Sequence, residues 1–148
     1  MKIIYKNVTV AEKDTAFRLF KTYMQPIIDK EIGWDESLQR SGFYDNYQTP
    51  WLYWVIIDSK KIGLVCLREK ARNLHIHLII VFEQFQRRGY GQYIITQLQN
   101  SLNPNLLGMT LSSFKSNVCA LNLYKTMGFT VVAQDKYFYN LACQVADY

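Results

Sequence analysis

The stretch QRRGYGQ, Gln86–Gln92, places two glycines two residues apart, directly behind a pair of arginines, in a chain with only seven glycines. An apolar run before it predicts a strand, and the spacing of Tyr90, Ile94 and Leu98 after it predicts a helix. The start of a helix exposes unpaired N–H groups, and glycines leave those groups open to an anion. The stretch therefore indicates either a phosphate-binding loop or a tight turn whose glycines only relieve backbone strain.

Two common nucleotide-binding patterns do not fit this loop. A dinucleotide-binding fingerprint needs a third glycine where Ile94 stands, and it needs an acidic residue about 20 positions further on, which is missing. The sequence also contains no P-loop pattern. A phosphate ligand in this loop would therefore belong to a different class of binding site.

Length and composition predict one globular domain over residues 1–148. Hydrophobic residues make up 49% of the chain, and no low-complexity run interrupts them. No apolar run approaches the roughly 18 residues of a membrane helix. The N-terminus lacks the features of a signal peptide, so we expect a cytoplasmic protein with no membrane partner.

The cysteines predict neither a disulfide framework nor a metal site. Cys66, Cys119 and Cys143 are odd in number and lack the CxxC spacing. His75 and His77 form an H-x-H pair on a predicted strand, but no third ligand is indicated by the sequence. We therefore expect free, buried thiols and no metal.

Charge is distributed unevenly along the chain. The net charge of +5 comes from residues 61–148, which hold nine basic and four acidic side chains, whereas residues 1–60 are balanced. Within the balanced part, DKEIGWDE (Asp29–Glu36) places four carboxylates around one lysine. This acidic segment is either a solvated surface or a lip that binds a cationic ligand.

Periodicity predicts the order β-α-α-β-β-β-α-β-α-β-β, a mixed α/β (α+β) fold around one sheet. A capping box at Thr9 and Glu12 is expected to begin the first helix, and Pro26 to break or restart it. Gly33 and Gly42 are expected to bracket a second helix. The runs WLYWVIID, KIGLVCLRE and NLHIHLIIVF predict an antiparallel meander.

QRRGYG, residues 86–91, fits the pattern R/Q-x-x-G-x-G/A. About 30 residues later, NVCALNLYKTMGF (Asn117–Phe129) fits the pattern N-x-x-A-x-x-L-Y-x-x-x-G-F. In these two motifs and in its order of elements, the sequence resembles the GNAT superfamily of acetyl-CoA-dependent N-acetyltransferases. The chain departs from the pattern at Glu83 and Arg87, where many members have proline and glycine. The resemblance implies acetyl transfer to a primary amine, with acetyl-CoA as cosubstrate.

The resemblance also implies which residues contact the cosubstrate. The strand before the loop would offer backbone groups to the pantetheine arm, and the loop amides would hold the pyrophosphate. The Asn117 amide would bind the pantetheine, although asparagine is equally suited to cap a helix. The residues implied are Ile79, Ile80, Val81, Gln86, Arg87, Arg88, Gly89, Tyr90, Gly91, Gln92, Asn117 and Tyr124.

Two residues are candidates for proton transfer. By resemblance, Tyr124 stands at the usual general-acid position, near the thioester sulfur. Several members place a glutamate eleven residues before the first position of the loop pattern, which is His75 here. Histidine has a pKa near neutrality and suits a base or a water relay, although a structural hydrogen-bonded histidine is an open alternative. Cys119 is interpreted as packing.

The identity of the acceptor amine is the least determined part of the prediction. In the superfamily the first two helices, the loop between them and the final hairpin line the acceptor site. Carboxylates beside an aromatic ring suit a cationic amine, which points to Trp34, Asp35 and Glu36. Small-molecule and peptide amines both fit, and a homodimer is left open. The alternatives are a nucleic-acid-binding module, against which the scattered basic residues argue, and a CoA-binding regulator without turnover.

Overall fold

A computed structural model describes residues 2–144 of the chain. Within this part, the order of helices and strands confirms the sequence prediction. The elements are β1 (Ile3–Asn7), α1 (Lys13–Ile32), α2 (Glu36–Asn46), β2 (Leu52–Ile57), β3 (Lys60–Lys70), β4 (Asn73–Val81), α3 (Tyr90–Asn100), β5 (Gly108–Phe114), α4 (Val118–Thr126), β6 (Thr130–Gln134) and β7 (Phe138–Gln144).

The seven strands form one mixed sheet in the order β1-β2-β3-β4-β5-β7-β6. The pairs β1/β2, β2/β3, β5/β7 and β6/β7 are antiparallel, and β4/β5 is parallel. The pairs of β4 with β5 run from Asn73–Gly108 to Ile76–Leu111, and β4 then continues to Val81. Together with the four α-helices of residues 2–144, this sheet confirms the predicted mixed α/β fold.

Two tight turns connect β2 to β3 and β3 to β4. Asp58 and Ser59 have φ angles of 49° and 67°, and Ala71 and Arg72 have 51° and 62°. Two consecutive residues with positive φ form the type of turn whose twist matches that of a hairpin. The chain therefore adopts hairpin turns between the three runs that predicted an antiparallel meander.

The described chain groups into two compact units, the first being residues 2–66 with Leu78–Gln84. Its helices pack through aromatic rings: the ring centroids of Phe17 and Phe20 lie 5.5 Å and 5.1 Å from that of Phe43. The predicted capping box is present, because Thr9 and Glu12 exchange side-chain and backbone hydrogen bonds. It begins a short 3₁₀ turn that leads directly into α1.

Two helix boundaries in this unit differ from the prediction. α1 continues through Pro26 to Ile32, so the expected break there is wrong. Helix-interior proline costs about 3 kcal/mol, which the burial of Phe17 and Phe20 on the same helix offsets. Likewise α2 does not end at Gly42, because the next residue, Phe43, is only 1% exposed and anchors the helix to the core.

The second unit comprises, among the described residues, Leu67–His77 and 85–144. Its core contains the predicted inner face of α3, with Ile94 and Leu98 buried, and β-strand residues such as Met109 and Leu141. Gly91 of α3 lies close to α4, since an added Cβ would contact Leu123 Cδ2 at 3.4 Å. The start of α3 therefore packs against the second half of α4.

The cysteine prediction is only partly confirmed. All three thiols are free, and Cys66 and Cys143 are buried, but Cys119 is exposed. Cys119 lies in the first turn of α4, whose buried face is formed by Leu121 and Tyr124, so its interpretation as a packing residue is wrong.

None of the described helices is long and apolar enough to cross a bilayer.

Candidate active site

The loop before α3 presents the start of a helix without a side-chain cap. Gly89 occupies the N-cap position with φ +81°, a left-handed conformation that favours glycine. The first bond within the helix runs from the N–H of Tyr93 to the carbonyl of Gly89. The N–H groups of Tyr90, Gly91 and Gln92 therefore have no partner within the helix, and they form a positive end suited to an anion.

The surroundings of Gly89 leave room for a ligand. A Cβ added there would have no atom of the described chain within 4 Å. Gln86, Arg87 and Arg88 are all exposed beside it. Arg87 itself adopts φ +63°, so the residue that departs from the superfamily's glycine keeps a backbone conformation that glycine would favour. Open space, bare amides and two positive charges thus meet at one loop.

α4 carries the second predicted group of cosubstrate residues. Asn117 is its N-cap residue by position, but its side chain makes no capping hydrogen bond. Its carbonyl accepts from the N–H of Leu121, which begins the helix, so the side-chain amide is not used for capping. The capping alternative therefore holds for the backbone of Asn117 and not for its side chain.

Tyr124 lies seven residues further along, on the buried face of α4. It is 8% exposed, and its ring meets that of Phe129 edge to face, with 6.0 Å between centroids. Among the described residues, none forms a hydrogen bond with its hydroxyl group. Burial raises the pKa of Tyr124 to about 12, so the phenol stays protonated throughout the neutral range.

The end of β4 directs alternate backbone groups to opposite sides. The N–H of Phe82 donates to the Ile62 carbonyl of β3, and the Ile80 carbonyl lies against Gly63 of the same strand. By the alternation of an extended strand, Ile79 and Val81 direct their backbone groups away from β3. Of the three strand residues predicted to meet the pantetheine arm, Ile80 alone directs its backbone groups toward β3.

His75 and His77 lie side by side on β4, with 4.4 Å between their ring centroids. His75 Nδ1 is 2.7 Å from the hydroxyl oxygen of Thr110 on β5. Burial lowers the pKa of His75 to about 4, with contributions from His77 and Lys70, and burial likewise lowers that of His77. Both imidazoles are neutral at pH 7, so His75 is able to accept a proton but is a weak base.

Carboxylates of the acidic segment make hydrogen bonds and an ion pair within the first unit. Asp35 caps α2 by accepting from the N–H of Leu38. Glu36 pairs with Lys21 at 2.7 Å and accepts from the indole N–H of Trp34 at 3.0 Å, and these two contacts lower the pKa of its carboxyl. Trp34, Asp35 and Glu36, predicted to bind a cationic amine, thus each have a partner within the protein.

The aromatic residues of the final hairpin are covered by cations. Lys115 Nζ lies 5.2 Å from the ring centroid of Tyr139, and Lys136 Nζ lies 5.3 Å from that of Tyr137. These rings are therefore occupied by the chain's own lysines.

The described residues contain no cluster of three or more histidine, cysteine or carboxylate side chains arranged to hold a metal ion.

Sequence reasoning missed two side chains of this region. Thr110, which bonds His75, is 35 positions away from it, and nothing in the local pattern links the two. The hydroxyl of Tyr23, on α1, accepts a hydrogen bond from the N–H of Glu83. Both contacts depend on the packing of distant elements, which periodicity does not reveal.

Comparison with solved structures defines the class of this fold. In solved structures, the N-acetyltransferase PaiA from Thermoplasma acidophilum, in complex with coenzyme A, is 14% identical with a TM-score of 0.71, covering 97% of this chain and 99% of that one. The Campylobacter jejuni N-acetyltransferase PseH, in complex with acetyl-coenzyme A, is 18% identical with a TM-score of 0.65, covering 98% and 100%. The fold is thus that of acetyltransferases.

Sequence comparison identifies the family. A family model described as the acetyltransferase (GNAT) domain matches residues 49–131, more than half of the chain. The streptothricin acetyltransferase of Escherichia coli is 26% identical over 147 residues, which span 98% of this chain and 79% of that protein. The chain belongs to the GNAT acetyltransferase family, and it is an acyltransferase enzyme.

Proposed function

We propose that this enzyme transfers the acetyl group of acetyl-CoA to a primary amine by direct attack within a ternary complex. The observation that carries the proposal is the uncapped N-terminus of α3, with Gly89 in a left-handed conformation and open space above it. The pyrophosphate of CoA is a doubly charged anion that matches this arrangement. Arg87 and Arg88 add full charges beside it.

We assign the pantetheine arm to backbone groups of Ile79 and Val81 and to the side chain of Asn117, as the resemblance implies. The Asn117 side chain makes no capping hydrogen bond, which supports its part of this assignment. Gly91 of α3 approaches Leu123 of α4, so the helix proposed to hold the pyrophosphate and the helix that follows Asn117 are neighbours. Gln86 completes the proposed contacts of the loop.

The reaction forms a C–N bond and breaks the C–S bond of the thioester. The amine nitrogen attacks the acetyl carbonyl carbon, loses a proton, and CoA leaves as a thiolate that takes up a proton. Tyr124 would interact with the leaving sulfur through its hydroxyl group. With its pKa near 12, full proton transfer to a thiolate of ordinary pKa near 8.5 is uphill by about 5 kcal/mol, so its main contribution is a hydrogen bond to the developing charge.

The attacking amine must be neutral. A lysine-like amine has a pKa of about 10.4, so only about one molecule in a few thousand is neutral at pH 7. We assign His75 as the group that accepts the proton, directly or through water. Its neutral imidazole supports this role, and its low pKa favours a relay over a strong base.

The acceptor is proposed to be a cationic amine. Trp34, Asp35 and Glu36 place two carboxylates beside an indole ring, which would favour a positive ligand. The relation to a streptothricin acetyltransferase makes streptothricin the first compound to test. Polyamines, aminoglycosides, peptide N-termini and protein lysines are the other candidates.

The proposal is tested by following thiol release from acetyl-CoA in the presence of each amine, with mass spectrometry of the product. Amine-dependent release with an acetylated amine is the expected result. Acetyl-CoA binding without release for any amine would point to a CoA-binding regulator. Absence of binding, together with salt-dependent binding of DNA or RNA, would favour the nucleic-acid-binding alternative.

A further inference from the structure

Two basic side chains lie beside the histidines of the second unit. β3 ends at Lys70 and β4 begins at Asn73, and the two residues between them form the hairpin turn. In a two-residue hairpin the residues that flank the turn are opposite each other, so Lys70 is opposite Asn73. Two residues further along each strand, Arg68 is opposite His75. Arg68 and His75 therefore project from the same face of the sheet, and Lys70 is the diagonal neighbour of His75 on that face.

Both cations are within electrostatic reach of the imidazoles. Opposite side chains have Cβ atoms about 5 Å apart and diagonal neighbours about 7 to 8 Å, distances that long side chains span. After burial and the imidazole of His77, the charge of Lys70 lowers the pKa of His75. After burial, Lys70 and Arg68 both lower the pKa of His77. Lys70 is exposed and forms no ion pair with any described residue, so its ammonium group is accessible to a ligand at His75.

No carboxylate of the described residues in the second unit balances these charges on that face. This part of the unit contains eight lysines and arginines but only two carboxylates, Glu69 and Asp135. Glu69 lies between Arg68 and Lys70 in sequence and so projects from the opposite face of β3. Asp135 accepts hydrogen bonds from two backbone N–H groups at the turn before β7.

The face of His75 continues across β5 and β7 with neutral side chains. Thr110 is the register partner of His75, and Ser112, two residues later, is the partner of Asn140. The Ser112 hydroxyl donates to the side-chain oxygen of Asn140 at 2.6 Å. Within the described part of the second unit, the charge beside His75 on this face is therefore positive.

We propose that the acceptor carries an anionic oxygen group, a carboxylate or a phosphate, near its amine, and that Lys70 binds this group beside His75. An amine with positive charge alone would be repelled at the place where it must lose its proton, whereas an anionic group on the same molecule offsets the two cations. This inference rests on the proposed role of His75. Together with the proposed cationic amine, it predicts an acceptor that carries both charges, as an amino acid does.

Two matched pairs of amines separate the two kinds of anionic group. β-Alanine and β-alaninamide differ by a carboxylate, and O-phosphoethanolamine and ethanolamine differ by a phosphate. Because the amines of a pair also differ in basicity, the informative quantity is the change in their KM ratio when Lys70 is substituted. The anionic member of one pair should have the lower KM in the wild type. Lys70→Gln should reduce this advantage by about two- to fivefold at low salt, as expected for one exposed charge, and Lys70→Arg should retain it.

The experiment is the thiol-release assay with acetyl-CoA and all four amines, on the wild type, Lys70→Gln, Lys70→Arg and Lys136→Gln. Lys136, an exposed lysine in the turn before β7, is the control within the same unit. An advantage of the carboxylate or the phosphate that Lys70→Gln alone reduces supports the inference, and the pair that shows it identifies the group. Transfer only to amines without an anionic group, or an advantage unchanged in Lys70→Gln, overturns it and leaves the proposed function standing. No thiol release with any amine overturns both.

Discussion

His75 Nδ1 lies 2.7 Å from the hydroxyl oxygen of Thr110, and the two residues are register partners on the parallel strands β4 and β5. Thr110 therefore engages one ring nitrogen and leaves Nε2 for the proposed proton transfer. Burial keeps the ring neutral down to about pH 4. The imidazole is thus fixed in orientation and charge by its strand neighbours.

Activity should therefore show no inflection from His75 near its ordinary pKa of 6.5. With an active acceptor, kcat/KM of the wild type is expected to fall on the acid side only through protonation of the amine and, near pH 4, of His75. His75→Gln should lower kcat by about 10²-fold. An unchanged kcat in this variant would show that the imidazole is structural.

The same pKa predicts how stability depends on pH. Because the folded pKa of His75 lies below that of the unfolded chain, the unfolded state binds more protons between about pH 6.5 and pH 4, and stability falls as pH falls through that window. The decrease in Tm from pH 7 to pH 5 should be smaller in His75→Gln than in the wild type. Thr110→Val, which retains the imidazole, should keep the wild-type dependence.

Tyr124→Phe tests the phenol in α4. The substitution keeps the buried ring against Phe129, so folding and acetyl-CoA binding should persist, while turnover falls by roughly 10²- to 10³-fold. Tyr53→Phe serves as a control for loss of a hydroxyl elsewhere. An unchanged chemical step, measured in a single turnover, would leave Tyr124 as a core residue only.

Arg87→Gly separates charge from backbone conformation in the loop. Arg87 has φ +63°, which glycine adopts without cost, so the variant should be as stable as the wild type or more stable, by up to about 1 kcal/mol. Loss of the guanidinium should weaken CoA binding by several-fold at low salt and by less at high salt. Equal CoA affinity at low salt would show that Arg87 faces solvent.

The double variant Asp35→Asn, Glu36→Gln tests the acidic segment. Asparagine still caps α2, and glutamine still accepts from the Trp34 indole, so the change removes charge while keeping these hydrogen bonds. The KM of a cationic amine should rise, by up to about fivefold per charge, in a salt-sensitive way, while that of acetyl-CoA stays constant. Asp45→Asn, on the same helix, is the control. No change for cationic amines at low salt would identify the segment as a solvated, structural surface.

Local pattern predicted the order of elements because each depends on residues close in sequence. Ile94 and Leu98 point inward from α3 as their spacing requires, and the capping box at Thr9 forms from residues three apart. The same local rule failed at Pro26, where tertiary burial of Phe17 and Phe20 on the same helix outweighs the cost of a proline.

The candidate site was predictable as far as its motifs extend. The loop glycine, Asn117 and Tyr124 lie on the elements that the two patterns indicated. The contacts of His75 with Thr110 and of Tyr23 with Glu83 join residues 35 and 60 positions apart. The internal bonds of the acidic segment likewise depend on Lys21, a residue of another helix. Such pairings follow from tertiary packing, which one sequence does not reveal.

The central claim is that the bare helix start at Gly89 binds the pyrophosphate of CoA, and Gly33 offers a control for it. Gly89 and Gly33 have φ of +81° and +82°, and a Cβ added at either would have no atom of the described chain within 4 Å apart from its chain neighbours. Their ψ angles differ: Gly89, with ψ 10°, is left-handed helical, whereas Gly33, with ψ 144°, lies in a region that essentially only glycine adopts. Alanine should therefore cost about 1 kcal/mol at Gly89 and more at Gly33. Only at Gly89 would the new methyl group stand beside the amides of α3.

The most direct measurement is calorimetric titration of CoA into the wild type, Gly89→Ala and Gly33→Ala, with Tm recorded for each. Gly33→Ala should lose at least as much stability as Gly89→Ala, whereas Gly89→Ala alone should bind CoA at least about tenfold more weakly than the wild type. CoA binding by folded Gly89→Ala as tight as that of Gly33→Ala and the wild type would contradict the account.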